Sequence, residues 1–353
     1  MRVLVTGHLG YIGTVLTPML LDRGHEVKGL DSDLFSRCTF AGAIAEVPAI
    51  TEDLRGFVRN REAAIATLSQ FDAVIHLAGL SNDPLGDYQP HLTEAINTDA
   101  SVALAHLAKA AGVTRFLYAS SCSNYGASGD DFIGEDGAFN PVTPYGVSKV
   151  ASERGIAPLA DATFSPTFLR ASTAYGMSPR IRFDLVVNNL TAWAFTEGKV
   201  HLKSDGTPWR PLVHVADIAH AYAAILEAPR DKVHGAAFNI GQTSENYQIR
   251  DVAEIVRSIV PGSVVEFAEG ASPDARNYRV NCDLIARTLP GWKPQWTVRR
   301  GIEQLLDAYT RQGLSLADFE GEKYKRIAHI QSLIAAGKLT PDLYVPAPER
   351  VVS

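Results

Sequence analysis

Short apolar runs alternate along the chain with segments in which apolar residues recur at helical spacing. The short runs, which are typical of buried parallel strands, occupy residues 3–5, 25–30, 73–77, 116–119, 167–170, 213–215 and 237–240. Helical spacing occurs at residues 54–68, 91–111, 148–160 and 217–226. This alternation predicts an α/β fold with a doubly wound, mostly parallel sheet, whose ligands bind at the carboxyl ends of the strands.

The predicted elements divide the chain into two interleaved parts. Residues 1–174 are predicted as a first domain, and residues 213–244 return to it, because the strands near 213 and 237 are expected to rejoin the sheet. Residues 175–212 and 245–330, with Pro- and Trp-rich turns and amphipathic helices, are predicted as a smaller substrate lobe. Residues 331–353 form a C-terminal tail, and apolar residues after Leu314 predict one more amphipathic helix.

Composition narrows the class of protein. The 353 residues are 46% hydrophobic, which is enough for a large core, and the net charge of −6 gives no reason to expect nucleic acid or an anionic membrane as partner. No apolar stretch of about 18 residues predicts a transmembrane helix, and the first strand leaves no room for a signal peptide. Three widely spaced cysteines, without an HExxH or CxxC pattern, favour a cytoplasmic protein without a metal.

A glycine-rich turn follows the first predicted strand. Its sequence is Gly7-His8-Leu9-Gly10-Tyr11-Ile12-Gly13, and apolar residues then recur at helical spacing. Glycines let the backbone approach a pyrophosphate, and the helix N-terminus offers free N–H groups. The second strand ends at Asp31, whose carboxylate can accept hydrogen bonds from adenosine ribose hydroxyls and repels a 2′-phosphate. These residues predict a Rossmann-type domain that binds NAD in preference to NADP.

The second chemical signal is the pair Tyr145 and Lys149. A spacing of four places both side chains on one face of a helix, about one turn apart. An ammonium group beside a phenol favours the phenolate form. Tyr145 is therefore a candidate general base for a hydroxyl proton.

Further motifs join these two signals along the chain. They are Thr51-Glu52-Asp53-Leu54, Val74-Ile75-His76-Leu77-Ala78-Gly79, Asn97, Ser120-Ser121-Cys122-Ser123-Asn124-Tyr125-Gly126, Leu169-Arg170, Tyr175-Gly176, Arg210, Val213-His214-Val215-Ala216-Asp217 and Asp274-Ala275-Arg276-Asn277-Tyr278. In this order and spacing, the chain resembles extended short-chain dehydrogenases/reductases of the NAD-dependent epimerase/dehydratase family, which act on nucleotide sugars. The resemblance runs from Met1 to about residue 305.

The resemblance implies a cofactor site. Asp31 is expected to hold the adenosine ribose, Asp53 and Leu54 the adenine edge, and Lys149 the nicotinamide ribose. The expected pyrophosphate contacts are Gly7, Gly10, Tyr11, Ile12 and Gly13, and the remaining cofactor contacts are Leu77, Ala78, Gly79, Asn97 and Tyr145. His8 stands where relatives have a small residue, and the loop is expected to tolerate it if its side chain points outward.

The resemblance also implies catalytic and substrate residues. Ser121 falls at the position of the family's catalytic Ser or Thr, beside Tyr145 and Lys149. The resemblance implies a nucleotide-diphosphate sugar as substrate, and Arg210 and Arg276 match positions that contact the diphosphate in relatives. Guanidinium groups suit phosphate oxygens. The further expected substrate contacts are Ser81, Cys122, Ser123, Thr173 and Asn189, with Arg180 and Arg182 as weaker candidates.

The sequence specifies the reaction less closely than it specifies the residues of the site. The shared first step in these relatives is oxidation at C4 of the sugar to a 4-keto intermediate. Dehydratases carry adjacent Asp and Glu where this chain has Cys122 and Ser123, which disfavours dehydration. C4 epimerisation is the simplest interpretation.

Several alternatives stay open. They are a net oxidoreductase such as a 4-ketoreductase or dehydrogenase, a dehydratase, a 3,5-epimerase, and a dinucleotide-sensing regulator without activity. The cysteine of the 3,5-epimerases maps to Ser123 rather than Cys122, for which a buried apolar role is favoured. Relatives often form homodimers through two helices that include the Tyr145 helix, and we expect the same here.

Overall fold

The structure, a computed structural model, describes residues 1–81, 89–272 and 276–346. Residues 273–275 of the predicted substrate lobe, which include part of the Asp274-Ala275-Arg276 motif, lie outside the described residues, as does the predicted tail beyond residue 346. The strands are β1 (Arg2–Thr6), β2 (Glu26–Asp31), β3 (Ala49–Thr51), β4 (Ala73–His76), β5 (Arg115–Ser121), β6 (Ala127–Ile133), β7 (Ser165–Ala171), β8 (Thr173–Tyr175), β9 (Lys199–Ser204), β10 (Trp209–His214), β11 (Ala237–Ile240), β12 (Asn246–Gln248), β13 (Val264–Ser272) and β14 (Asn277–Val280).

Helices connect most of these strands. They are α1 (Gly13–Asp22), α2 (Leu54–Arg59), α3 (Arg61–Leu68), α4 (Pro90–Thr93), α5 (Ala100–Ala110), α6 (Pro144–Ile156), α7 (Val186–Glu197), α8 (Val215–Glu227), α9 (Arg230–Val233), α10 (Ile249–Ile259), α11 (Asp283–Thr288), α12 (Val298–Gln312), α13 (Leu316–Phe319) and α14 (Arg326–Ala335). A π-helical segment, Glu94–Asp99, joins α4 to α5. Short 3-10 turns occur at Ser36–Cys38, Cys122–Asn124, Ala157–Leu159 and Thr243–Glu245.

Among the described strands, seven form one sheet in the order β11-β7-β5-β4-β1-β2-β3. Every neighbouring pair in this sheet is parallel. From β1 the chain winds outward in both directions, which confirms the predicted doubly wound Rossmann-type fold. The strand order reverses beside β1, so a crevice for ligands opens at the carboxyl ends of β1, β2 and β4.

Helices cover both faces of this sheet, and alternate residues of β1 show the two cores. Val3 and Val5 pack with Leu16 and Leu20 of α1 on one face. Leu4 packs on the other face, in the cluster that contains Leu104 of α5. Continuous apolar runs are expected for strands buried on both faces, which is why the sequence pattern reveals this sheet.

The second half of the chain has its own core. Val187, Leu190, Val252 and Leu305 of α7, α10 and α12 pack in one buried cluster. These helices surround the small sheets β12-β10-β8 and β13-β9. The division into a cofactor domain and a substrate lobe stays a prediction that is compatible with these separate cores.

One expectation about the main sheet is wrong. The strand near residue 213 does not rejoin the parallel sheet: β10 pairs in parallel with β8 and antiparallel with β12. The neighbouring position beside β7 is taken by β11 in parallel register, as predicted for the strand near 237. With that position filled, β10 pairs with β8, which follows β7 after a break at Ser172.

Helix boundaries differ from the periodicity where capping side chains intervene. The segment predicted at 54–68 is two helices, because Asn60 accepts a hydrogen bond from the Ala63 amide and starts a new one. The helix predicted from residue 148 begins at Pro144, where Thr143 accepts from the Gly146 amide at 3.1 Å. Tyr145 therefore lies in the first helical turn.

Residues 314–346, which we call the C-terminal segment, pack against residues from the first 100 positions of the chain. The predicted amphipathic helix is α14, and its Ile330 packs with Leu80 and Ile96 in a buried cluster. Arg55 donates to the Asp342 carbonyl at 2.9 Å.

Within the described part of the chain, no helix combines the length and apolarity needed to cross a bilayer.

His8 points inward, whereas the sequence interpretation required an outward side chain. Its side chain is 4% exposed and lies under the glycine loop, where Gly29 of β2 leaves room for it. A Cβ atom at position 29 would stand 2.3 Å from His8 Cε1. Burial lowers the pKa of His8, so the ring is neutral at physiological pH.

This packing yields a stability prediction. We expect Gly29→Ala to lower the free energy of unfolding by roughly 1–3 kcal/mol, because the added methyl overlaps the His8 ring. We expect the double variant His8→Ala/Gly29→Ala to lose less free energy of unfolding than the sum of the losses in the two single variants. The reason is that the added methyl fills part of the space that the His8 ring vacates. Denaturant unfolding measures this coupling. Gly291→Ala, in open space, is the matched control; additive losses would contradict the interpretation.

Candidate active site

A cleft of about 960 Å³ opens at the carboxyl ends of the central strands, between the parallel sheet and the second half of the chain. Most predicted site residues line it. They are Gly7, Gly10, Tyr11, Ile12, Gly13, Asp31, Asp53, Leu54, Leu77, Ala78, Gly79, Ser81, Ser121, Ser123, Tyr145, Lys149, Thr173, Asn189, Arg210 and Arg276. Residues more than 260 positions apart in the sequence thus meet at one site.

Asn97 and Cys122 do not line the cleft, and neither does the further candidate Arg180. Asn97 is buried beneath the cleft, where its Oδ1 accepts from the Leu80 amide at 2.7 Å and its Nδ2 donates to the Leu80 carbonyl at 2.9 Å. It therefore orders the chain after β4 instead of facing a ligand. Cys122 is fully buried, and its thiol lies 3.2 Å from the Arg170 carbonyl. Burial raises the pKa of Cys122 well above its ordinary value, which corrects the expectation of a substrate contact.

The glycine loop has the geometry that a pyrophosphate requires. Gly7 adopts a φ of +75°, and a Cβ there would lie 2.7 Å from the Ala78 amide nitrogen. The Gly10 amide donates to the Gly7 carbonyl at 3.0 Å, which turns the chain into α1. The first N–H groups of a helix lack intrahelical acceptors, so they are available to an anion. The Tyr11 ring is directed elsewhere, because its hydroxyl donates to the Gly176 carbonyl at 2.8 Å.

Asp31 is held rigidly at the end of β2. Its Oδ2 accepts from the Leu9 amide at 2.9 Å and its Oδ1 from the Asp33 amide at 2.8 Å. Each carboxylate oxygen keeps a further lone pair for a ligand hydroxyl. The same side chain therefore shapes the loop and presents negative charge to the cleft.

Tyr145, Lys149 and Ser121 converge where β5 ends against α6. Lys149 Nζ lies 5.7 Å from the Tyr145 ring centroid and donates to the Ala119 carbonyl at 2.7 Å. Ser121 Oγ accepts from the Ser123 amide at 3.1 Å, which leaves its hydroxyl proton available to a ligand. Lys149 is 4% exposed, and burial lowers its pKa to about 8, so the ammonium form persists at neutral pH.

A buried ion pair behind these residues is absent from the sequence prediction. Glu153, one turn beyond Lys149, accepts from Arg170 Nη2 at 2.7 Å and Nε at 3.0 Å. Glu153 also receives hydrogen bonds from Ser120 and from Asn124, the latter at 3.1 Å. The i, i+4, i+8 spacing of Tyr145, Lys149 and Glu153 places Glu153 on the same helix face, whereas its pairing with Arg170 of β7 depends on the tertiary fold.

The opposite wall carries the predicted substrate residues. Arg210 is 6% exposed, and its guanidinium donates to the backbone carbonyls of Trp209 and Arg276. Asn189 donates to the Phe183 carbonyl at 2.9 Å. These contacts fix the two side chains at the cleft wall before any ligand binds.

The weaker candidates Arg180 and Arg182 form ion pairs. Arg182 lines the cleft, contacts Asp184 at 2.5 Å and donates to Ser81 Oγ at 2.9 Å. Arg180 pairs with Asp33 at 2.9 Å. Both arginines help to hold the loops that follow β2 and β4.

The sequence prediction also missed the contribution of the C-terminal segment to the cleft. The residues that line it are Phe319, Glu320, Tyr324, Lys325, Arg326 and Ile327.

In the part of the chain that the structure describes, no group of His, Cys, Asp and Glu residues has the arrangement of a metal site.

With this geometry established, comparison with known proteins identifies the class. The model of the NAD-dependent epimerase/dehydratase family matches residues 3–241, and the chain belongs to that family. The predicted NAD cofactor is thereby confirmed as the cofactor of the family. The glycine cradle, the fixed Asp31 and the buried Lys149 fit this dinucleotide.

Individual relatives agree on the family and differ in reaction. The chain is 27% identical to a UDP-glucose 4-epimerase of Corynebacterium glutamicum over 88% of this chain and 96% of that protein. It is 24% identical to UDP-glucuronic acid decarboxylase 1 of Arabidopsis thaliana over 91% of this chain and 72% of that protein. The solved structure of MoeE5 in complex with UDP-glucuronic acid and NAD is similar, with a TM-score of 0.75 at 28% identity over 89% of this chain and 100% of that one.

The buried ammonium gives a prediction about stability and pH. The unfolded chain, with a lysine pKa near 10.5, binds the proton more tightly than the folded protein, whose Lys149 pKa is about 8. The charge therefore opposes folding below pH 8, by an amount on the order of 3 kcal/mol, and this penalty fades as the pH rises from 8 to 10.5.

We expect Lys149→Met to raise the thermal midpoint at pH 7 by a few degrees and to lose most of that gain at pH 10. Thermal denaturation at both pH values measures the change. Lys338→Met, at an exposed position of the C-terminal segment, is the control and should show no such pH dependence. A Lys149→Met midpoint below that of the unaltered protein at pH 7 would refute the assignment.

Proposed function

We propose that this protein is an NAD-dependent nucleotide-sugar epimerase that inverts C4 of the sugar through a transient 4-keto intermediate. The observation that carries the proposal is the convergence of Ser121, Tyr145 and Lys149 at the cleft, with Cys122 turned away from it. A 4-epimerase needs only this acid–base set, because the hydride that leaves the sugar returns to it.

Tyr145 acts as the general base. In phenolate form it takes the proton of the C4 hydroxyl, while Ser121 donates a hydrogen bond to the same sugar oxygen. The Lys149 ammonium stabilises the phenolate electrostatically. NAD, held by the glycine loop, Asp31 and Lys149, would supply an oxidising nicotinamide ring for hydride transfer at C4. Rotation of the keto sugar presents its other face, and Tyr145 then returns the proton to oxygen.

The expected substrate is a nucleotide-diphosphate sugar. Arg210 and Arg276 line the wall opposite the glycine loop, and their guanidinium groups suit diphosphate oxygens. The MoeE5 structures hold UDP-glucose and UDP-glucuronic acid, which makes UDP-sugars the first substrates to test.

Other fates of the keto intermediate find less support. A dehydratase or a 3,5-epimerase needs an additional acid–base group beside the catalytic serine. Of the two positions after Ser121, Cys122 is buried and protonated and Ser123 is a hydroxyl. A net oxidoreductase keeps the same acid–base set but releases reduced cofactor, so the redox balance of turnover separates it from an epimerase.

The central prediction concerns Tyr145→Phe. We expect the rate to fall by at least about 100-fold while NAD still binds, because only the base is removed. The assay incubates each UDP-sugar with NAD⁺ and follows the anomeric protons by NMR, with absorbance of reduced nicotinamide recorded in parallel. A matched control is Tyr344→Phe, a tyrosine outside the cleft. Near-normal turnover by Tyr145→Phe, or steady accumulation of NADH, would contradict the proposal.

We further propose a cytoplasmic homodimer that pairs through α6. Val147 on this helix is 52% exposed, and Val142 just before it is 44% exposed, so both apolar side chains are accessible to a partner helix. A helix pair would bury both.

The dimer proposal predicts that Val147→Glu sediments as a monomer, because two carboxylates would be buried at the contact. Analytical ultracentrifugation measures the mass, and Val264→Glu, at a comparably exposed valine, is the control. An unchanged sedimentation coefficient for Val147→Glu excludes this surface.

A further inference from the structure

The C-terminal segment brings to the cleft one charged side chain that is not paired with an opposite charge. Arg326 is the first residue of α14 and lines the cleft. It is 8% exposed, and its Nε and Nη2 atoms find no hydrogen-bond acceptor among the described residues. Its guanidinium lies 4.3 Å from the centroid of the Phe35 ring. Guanidinium N–H groups that are buried without an acceptor are costly, so a ligand is the natural source of one.

The charges around Arg326 leave it uncompensated. Arg182 pairs with Asp184 and Arg180 with Asp33, at 2.5 and 2.9 Å. The neighbouring Cys38 thiol is protonated, because burial raises its pKa. Burial and the nearby Arg182 lower the pKa of Arg326 to about 10, which still leaves it charged at neutral pH. The cluster as a whole therefore carries excess positive charge.

The neighbours of Arg326 indicate that its charge acts on the part of the cleft that is expected to hold the cofactor, which is lined by the glycine loop and the residues after β2. Phe35 follows β2, the strand that ends at Asp31. Tyr11 of the glycine loop directs its hydroxyl to the Gly176 carbonyl, and the charge of Arg326 acts on that hydroxyl. Arg210 and Arg276, the expected substrate arginines, lie instead on β10 and just before β14.

The start of α14 adds a second source of positive potential. The preceding residue, Lys325, lines the cleft and makes no side-chain cap to the helix. The first N–H groups of this ten-residue helix therefore remain available, and the helix dipole favours an anion there. Lys325 itself pairs with Glu320 at 3.0 Å, so Arg326 is the cation left to act on a ligand.

We propose that Arg326 and the start of α14 bind the pyrophosphate of NAD from the side opposite the glycine loop. The C-terminal segment then forms a second part of the cofactor site. The inference rests on the NAD cofactor of the family and not on which reaction follows, so it survives if C4 epimerisation is wrong.

The test compares the binding of four ligands to Arg326→Gln. We expect the affinity for NAD and for ADP-ribose to fall about tenfold or more, which is the loss of one charge-assisted hydrogen bond. Adenosine, which lacks the pyrophosphate, and UDP, which belongs to the substrate half, should bind as before. Isothermal titration calorimetry without nucleotide sugar measures all four. Arg311→Gln, an exposed arginine paired with Asp307, is the control.

Three outcomes would overturn the proposal. Unchanged NAD affinity excludes the contact, an equal loss for adenosine shows a purely structural role, and a loss confined to UDP assigns Arg326 to the substrate diphosphate. If Arg326→Gln does not fold, Arg326→Lys keeps the charge without the planar fork. It should bind NAD with an affinity measurably below that of the unaltered protein, and equal affinity would again exclude the contact.

Discussion

The ion pair between Glu153 and Arg170 is the interaction on which the active site depends. It joins α6 to β7 and also binds Ser120 and Asn124, the residues that flank the Ser121 turn. Because both charges are buried, neither partner can leave without exposing the other to an apolar environment. The relative position of Tyr145 and Ser121 is therefore set by a contact that touches neither of them.

Lys149 lies beside this pair, and the burial of its charge lowers the stability of the folded state. Its ammonium is buried for the sake of the tyrosine and finds one backbone carbonyl as a partner. A protein selected for stability alone would place an apolar side chain there. The folded state tolerates the charge because large apolar cores on both faces of the sheet supply the compensating free energy.

The sequence predicts those parts of the molecule whose signals are local. The glycine turn, the end of β2 at Asp31 and the helical spacing of Tyr145 and Lys149 need only neighbouring residues, and the structure contains them. His8 is different, because its direction depends on Gly29 across the sheet. The pairing of β10 with β8 depends on which strand occupies the sheet position next to β7. The contact of Arg326 with Phe35 joins residues about 290 positions apart, which no periodicity encodes.

The C-terminal segment also sets the order in which the cleft can be completed. The glycine loop and the first strands leave the ribosome early, whereas residues 319–327 are translated some 300 residues later. Until these residues are translated, the part of the cleft that they line is incomplete. A chain that ends before this segment would lack the part of the cleft that these residues line.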